Sequence, residues 1–282
     1  MANDEQARYW NEQAGLKWVA MQELLDAQLQ GYGAAAARAA AIEPAERVLD
    51  VGCGCGATTL ALAEQVGEKG FVLGLDLSEP MLQRARERAR EQGKTNIRFL
   101  AADAQSHDFG EDRFDVVFSR FGVMFFDEPV SAFSNLAQAL TPAGRVAFIC
   151  WQGIDRNPWM RVPTLAAAEH VEIQVPTDPF APGPFAFADA DRVSGILDDA
   201  GLDDVRVEAF EPDVTLAGGG GLAEAATFIT YLGPAGRALQ EADDSVRAAV
   251  IESVTAAIEP YLKDGAVVMA SAAWVVTARK NG

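Results

Sequence analysis

The chain has 282 residues, 49% of them apolar, enough for a large core, and 41 acidic against 23 basic side chains give a formal net charge of −18. That acidity opposes a phosphate backbone, so nucleic acid is not the expected partner; no apolar run approaches the ~18 residues of a membrane span and no basic-then-apolar leader opens the chain, so a cytoplasmic protein is expected. Cys53, Cys55 and Cys150 form no CxxC pair, and His107 and His170 are the only histidines, which argues against a disulfide framework and against a metal site.

Trp10, Ala14, Trp18, Met21 and Leu25 fall on one helical face, with Gly15 and Gly31 expected to break or bend that helix. GAAAARAAAIE predicts a second helix ending before Pro44. Strand and helix patterns then alternate. RVLDVG (47–52) reads as a buried strand, GATTLALAEQVG (56–67) as a helix and FVLGLD (71–76) as a strand. SEPMLQRARERAREQG (78–93) is a helix with proline in its first turn, and its Arg/Glu alternation predicts a solvated face. IRFLAAD (97–103) is a strand followed by a polar loop, and FDVVFSR (114–120) another strand. DEPVSAFSNLAQAL (127–140) is a helix, then RVAFICW (145–151) a strand after a TPAG turn. This alternation predicts a mostly parallel, doubly wound α/β sheet.

The rhythm stops after Trp151. Residues 152–190 are rich in Pro, Phe and Trp, with one helix expected near 160–171, and a stretch this long predicts a lid or binding insertion. DADRVSGILDDAG (189–201) and VRVEAF (205–210) resume the alternation as helix and strand. Further helices follow from Gly218 to Leu262, and the later part of AVVMASAAWVVTARK (266–280) reads as a closing strand.

Ligands of open α/β sheets sit at the carboxyl ends of the strands. Here those ends carry Asp50-Val51-Gly52-Cys53-Gly54-Cys55-Gly56, then Asp76, Asp103 and Ser119-Arg120. Glycines allow a sharp turn and a close backbone approach. Asp76 stands at the distance beyond them where a carboxylate accepts from ribose hydroxyls, and Asp103 is placed to accept from an exocyclic amine. Helix capping or turn chemistry is the other reading of both. Gly52-x-Gly54-x-x-Ala57 also satisfies a dinucleotide fingerprint, so the glycines do not decide the ligand. No Gly-Lys-Ser/Thr follows, which excludes a Walker-type loop, and Asp50 disfavours a polyphosphate while accepting a cationic nucleoside.

The loop Asp50–Gly56 resembles the signature glycine loop of the class I S-adenosylmethionine-dependent methyltransferases. The resemblance extends to Gly74-Leu75-Asp76-Leu77-Ser78 with Met81, to Ala102-Asp103-Ala104, to Phe114–Ser119 and to Leu140–Arg145. It covers residues 45 to 151 densely, and its nearest flavour is the small-molecule branch of ubiquinone and menaquinone biosynthesis. It implies a Rossmann-like seven-stranded sheet whose last strand is antiparallel. It also implies S-adenosyl-L-methionine as cofactor, S-adenosyl-L-homocysteine as product, no metal, and a small-molecule acceptor. By that resemblance Asp50, Gly52, Cys53, Gly54 and Gly56 hold the methionine part and Asp76 the ribose. Leu77 and Met81 flank the adenine, Asp103 and the Ala104 N–H read its edge, and the Ser119 region lines the methionine amino group and faces the acceptor. The expected organisation is an N-terminal helical cap (1–43), a cofactor-binding core (44–151), a lid or acceptor-binding insertion (152–190) and the remainder of the core with inserted helices (191–282).

Methyl transfer needs alignment and water exclusion more than acid chemistry. His170 is the better of two weak candidates for a general base, with a solvated helix histidine as its other reading. Arg120 pairs either with an acidic acceptor or with a structural carboxylate. Trp10, Trp18, Trp151 and Trp159, with Phe180, Phe185 and Phe187, form either a flat acceptor pocket or the lid's own core. Two rivals stand beside this reading. One is a nicotinamide-dependent oxidoreductase, although none of Tyr9, Tyr32, Tyr231 and Tyr261 has a lysine four residues later. The other is a protein that binds S-adenosylmethionine without turnover.

Overall fold

A computed structural model of the chain describes residues 4–174, 176–239 and 242–281. The N-terminal helical pattern divides into α1 (Asp4–Asn11), α2 (Gln13–Ala20) and α3 (Gln22–Ala40), with the breaks at Glu12 and Met21. Neither expected glycine breaks a helix. Gly15 lies inside α2, where a Cβ would collide with the Trp10 carbonyl and the Ser78 hydroxyl, so it marks a close approach. A Cβ on Gly31 would meet nothing, and the alanine run simply continues α3. The breaks bring Trp10 edge-on to Trp18 at 5.7 Å and to Phe125 at 5.2 Å. Tertiary packing has overridden a continuous helical propensity.

The core then alternates as β1 (Arg47–Val51), α4 (Ala57–Val66), β2 (Phe71–Asp76), α5 (Glu79–Glu91), β3 (Ile97–Ala101), β4 (Phe114–Arg120), α6 (Pro129–Gln138) and β5 (Leu140–Trp151). β5 starts at Leu140, ahead of the expected Arg145, and its register against β4 slips between Phe114 and Val116. No helix joins β3 to β4; turns and loop fill that connection. The remaining elements are α7 (Pro158–Ala167), α8 (Ala190–Asp199), β6 (Leu202–Phe210), β7 (Asp213–Thr215), α9 (Leu222–Tyr231), α10 (Gly233–Ala238), α11 (Asp244–Ile258), β8 (Leu262–Lys263), β9 (Ala266–Ala270) and β10 (Ala273–Lys280).

Seven strands form one sheet in the order β3-β2-β1-β4-β5-β10-β6. β1 pairs in parallel with both β2 and β4, so the strand order reverses there, and β10 runs antiparallel between β5 and β6. Right-handed crossovers in opposite directions from β1 put helices on both faces and open a crevice at the carboxyl ends of β1 and β4. The apolar strands are buried on both sides, with Phe114, Phe118, Phe133, Phe148 and Leu49 among the fully buried side chains. Phe187 joins them at 1% exposure, 6.2 Å from both Phe133 and Phe148, and so belongs to the sheet's core.

The elements between β6 and β10 build a second, smaller core. β7, β9 and β8 form a three-stranded sheet, and Val214, Leu216, Ala225, Val250, Val254, Ile258, Val267 and Met269 are buried together with Ala166 and Ala167 of α7. Thus α7 packs with the inserted helices, while Ala186 and Phe187 return to the main core. Among the described residues no helix is long and apolar enough to cross a membrane, and no group of three or more His, Cys, Asp or Glu side chains is placed to hold a metal ion.

Candidate active site

At the reversal point the chain turns through Gly52, Gly54 and Gly56 with φ of 69°, 55° and 80°. These left-handed conformations explain the glycines directly. What they approach is the protein itself. A Cβ on Gly52 would lie 2.7 Å from Cα of Gly122, one on Gly54 2.8 Å from Cε of Met81, and one on Gly56 2.9 Å from Cβ of Ala85. The ends of β1 and β4 therefore touch backbone to backbone at Gly52 and Gly122. Ser119 seals the same junction: its hydroxyl is 1% exposed, donates to the Val51 carbonyl at 2.7 Å and accepts from the Gly122 N–H at 3.2 Å. The Ser119 hydroxyl is thus engaged by the backbone on both sides.

Asp50 lies beneath the loop, fully buried. Its Oδ2 accepts from the Thr58 and Thr59 hydroxyls at 2.7 and 2.6 Å, tying β1 to the first turn of α4, while Oδ1 is buried with no hydrogen-bond partner among the described residues. Burial pushes its carboxyl from the ordinary 3.8 up to about 6, against the pull of the Thr59 and Thr58 hydroxyls and of Arg120. Because the folded value lies above the unfolded one, the stability that Asp50 lends is fully present below about pH 4 and is lost as pH rises through about 6, a change of roughly 3 kcal/mol. Asp50→Asn is therefore expected to gain stability relative to the parent as pH rises from about 4 to 7. Melting temperatures of the two proteins across that range would check this, and parallel curves would contradict it.

Asp76, half-buried at the end of β2, faces the loop from the other side. Its Oδ2 accepts from the Gly54 N–H and its Oδ1 from the Ser78 N–H, each at 2.8 Å. Burial raises its carboxyl above the ordinary range, and these backbone donors work against that rise. Next to it, the Leu77 carbonyl accepts from Asn11 of α1 at 2.7 Å, and Met81 is 4% exposed against the loop. Asp103 accepts from the Gln105 N–H at 3.0 Å, and the buried Ala104 presents its carbonyl to Asn135 at 2.9 Å. Cys53 and Cys55 are buried free thiols, both pushed up by burial, and so are packing groups, not nucleophiles.

The crevice is bounded by charged groups that the sequence does not place together. Asp26 of α3 pairs with Arg88 of α5 at 2.8 Å and with Arg120 at 3.8 Å, and Arg88 donates to the Cys55 carbonyl at 2.7 Å. The expected solvated face of α5 is thus turned inward at Arg88, which is only 15% exposed. Arg120 is only partly exposed, with its charged form disfavoured by desolvation and supported by Asp26 and Asp50, so its partners are structural carboxylates.

An aromatic cluster covers the ends of β4 and β5. Phe121 holds a left-handed φ of 62° and stacks on Trp151 at 4.1 Å; Trp159 lies 5.3 Å from Trp151, and Tyr32 of α3 lies 5.0 Å from it. A bulky residue at positive φ is strained, and such strain gathers at functional sites. Trp10 and Trp18 form a separate cluster with Phe125. His170 does not join either group: it is exposed past α7 and bonds Ser253 of α11 at 2.8 Å. As a base beside the strand ends it is set aside. Sequence reasoning missed Thr58, Thr59, Asp26, Tyr32 and Gly122. Only the two threonines had a local signal, standing in the first turn after the glycine loop.

Residues 48–144 match the family model of the methyltransferase domain. That stretch is a methyltransferase domain by this match. The domain is similar to aklanonic acid methyltransferase DauC of Streptomyces sp. strain C5, 41% identical over 36% of this chain and 47% of that protein. It is also similar to demethylmenaquinone methyltransferase of Lactococcus lactis, 38% identical over 36% of this chain and 40% of the relative. The chain thus spans less than half the length of these two curated relatives. In fold, the whole chain resembles the YcgJ protein of Bacillus subtilis, with a TM-score of 0.59, 17% identity and coverage of 90% and 99% of the two chains. The matched segment therefore supplies β1 to β4, the start of β5 and the carboxylate-bearing strand ends, while the rest of β5, β6 and β10 complete the sheet from outside it.

Proposed function

We propose that the chain binds S-adenosyl-L-methionine at the strand ends of its methyltransferase domain and transfers the methyl group to a small-molecule acceptor. The observation that carries this reading is the glycine turn at the end of β1, held by Asp76 and underlain by the buried Asp50, with Asp103 beyond β3, all within the segment that matches the family model. The residues fit the donor: Asp50 carries a buried unpartnered oxygen, and each Asp76 oxygen bonds one backbone N–H and keeps a further lone pair. When bound, the donor supplies a sulfonium methyl whose C–S bond breaks as the new bond to the acceptor forms, leaving S-adenosyl-L-homocysteine. Asp76 would take the ribose hydroxyls and Asp103 the adenine amine, with Leu77 and Met81 against the ring. Asp50 contributes negative charge from beneath the loop, balanced in part by Arg120. The N-terminal helices, whose Asn11 and Trp10 bond the Leu77–Glu79 turn, would exclude water, together with the segment 152–190 and the inserted helices. No ordered proton acceptor is required for alignment to accelerate transfer.

Relatives named as methyltransferases of aklanonic acid and of demethylmenaquinone support a small-molecule acceptor of that kind. The test is transfer of labelled methyl from S-adenosyl-L-methionine to a panel of such compounds. Incorporation into one or more of them is expected. Cofactor binding with no labelled product from any of them would leave a binding protein and sink the transferase reading.

A further inference from the structure

The N-terminal helices meet the inserted helices across a hollow of about 30 Å³, lined by Tyr9, Lys17 and Trp18 on one side and by Tyr231, Leu232 and Arg237 on the other. The contacts across it are reciprocal. Lys17 of α2 holds its Nζ 5.2 Å from the centre of the Tyr231 ring of α9, and Arg237 of α10 holds its Cζ 4.6 Å from that of Tyr9 of α1. Each cation therefore stands over a ring that lines the hollow. Neither is shut in: Arg237 is exposed and the Lys17 ammonium is only partly buried, so a molecule arriving from solvent reaches both.

Most of their donors are unspent. Lys17 gives one of its three N–H groups to the Gly236 carbonyl at 3.1 Å, and among the described residues the guanidinium of Arg237 has no hydrogen-bond acceptor. Arg247 of α11 adds a third positive charge. Its own donors go to the Leu239 and Ala242 carbonyls, and burial followed by its like charge lowers Lys17 from the ordinary 10.5. Among the described residues no carboxylate pairs with any of the three. In a chain of net charge −18, three cations gathered without a carboxylate run against the general surface. What the arrangement lacks is an oxyanion to take charge-assisted hydrogen bonds. The hollow sets its size: it has room for two or three water-sized groups, such as the two oxygens of a carboxylate. An apolar body attached to that carboxylate must stay at the mouth, against Tyr231, which is 37% exposed.

We propose that this hollow is an anion site for the carboxylate of a small aromatic acid, with Lys17 and Arg237 donating to its oxygens and Tyr231 lying against its ring. Such binding requires no methyl transfer, so its test stands apart from that of the donor site. The probes are 2-naphthoate and its neutral amide, 2-naphthamide, titrated calorimetrically into the full chain at low ionic strength. In the parent, 2-naphthoate is expected to bind at least about tenfold more tightly than the amide, the worth of hydrogen bonds between charged groups. Salt at about 0.5 M is expected to narrow that margin, because both cations face solvent. Lys17→Met and Arg237→Met keep the side-chain stems beside the tyrosine rings. Each is expected to weaken 2-naphthoate at least about fivefold, with 2-naphthamide unmoved and the melting temperature held. Arg237→Lys, which restores the charge, is expected to bind more tightly than Arg237→Met. Equal affinity of the two probes for the parent would overturn the proposal without recourse to any variant. So would 2-naphthoate binding unmoved by both methionine substitutions. Displacement of 2-naphthoate by an equal concentration of inorganic phosphate would also overturn it, since the surface would then be a patch open to any anion.

Discussion

Asp76→Ala is expected to weaken S-adenosyl-L-homocysteine binding at least about tenfold, from the roughly 1.5–3 kcal/mol of a hydrogen bond to a charged group. The carboxylate sits where two hydroxyls of a ribose would be read, held by the Gly54 and Ser78 N–H groups. Alanine removes the ligand's acceptor and also leaves those two donors without their carboxylate. The second effect loosens the glycine loop, so the loss should exceed that of the direct bonds alone. Asp76→Asn separates the two, because its amide oxygen still accepts from one N–H. Its affinity is expected to fall between those of the parent and the alanine variant. Isothermal titration at matched thermal stability is the measurement, and an unchanged dissociation constant for Asp76→Ala would remove Asp76 from the site.

The largest effect on stability is expected at Gly52. Alanine there would carry a side chain at φ 69° and place its Cβ 2.7 Å from Cα of Gly122, backbone against backbone. The left-handed conformation alone costs about 1–2 kcal/mol for a residue with a Cβ. The overlap has no flexible side chain to relieve it, so separation of the β1 and β4 ends is the only response. A total loss of about 3 kcal/mol or more is expected, at the upper end of single substitutions. Gly93→Ala is the control: its φ is 62°, yet a Cβ there meets nothing within 4 Å. It should cost only about the conformational part, about 1 kcal/mol. Urea midpoints at equal slope would measure both. Equal losses would show that the Gly52–Gly122 contact has no energetic weight.

The sheet was legible because strands buried on both faces read as short apolar runs, and helices with proline near their starts separate them. The carboxylates were legible for the same reason: each ends a strand, so locating the strand locates Asp50, Asp76 and Asp103. The α1–α3 breaks were not legible, since Gly15 is an instance of close packing and carries no sign distinguishing it from a helix breaker. The short β7 and β8, paired only with β9, are too brief for a period to register. Roles assigned by residue type were the least secure. The Ser119 hydroxyl donates to the Val51 carbonyl, a bond no local pattern announces, and His170 bonds α11 of the second core, whose position relative to the sheet no local pattern encodes. Asp26, Arg88 and Arg120 meet only because α3 crosses to α5, a long-range fact. One electrostatic expectation changes in kind. Asp50 does not stand in the open mouth of the crevice; it lies under the loop with Arg120 nearby, so a pyrophosphate in the crevice would meet Asp76 before Asp50.

Calorimetric titration of the full chain with S-adenosyl-L-homocysteine and, separately, with NADH tests the donor assignment most directly. One site for the homocysteine compound, lost in Asp76→Ala, with no heat from NADH is the expected result. Saturable NADH binding while S-adenosyl-L-homocysteine gives none would contradict it.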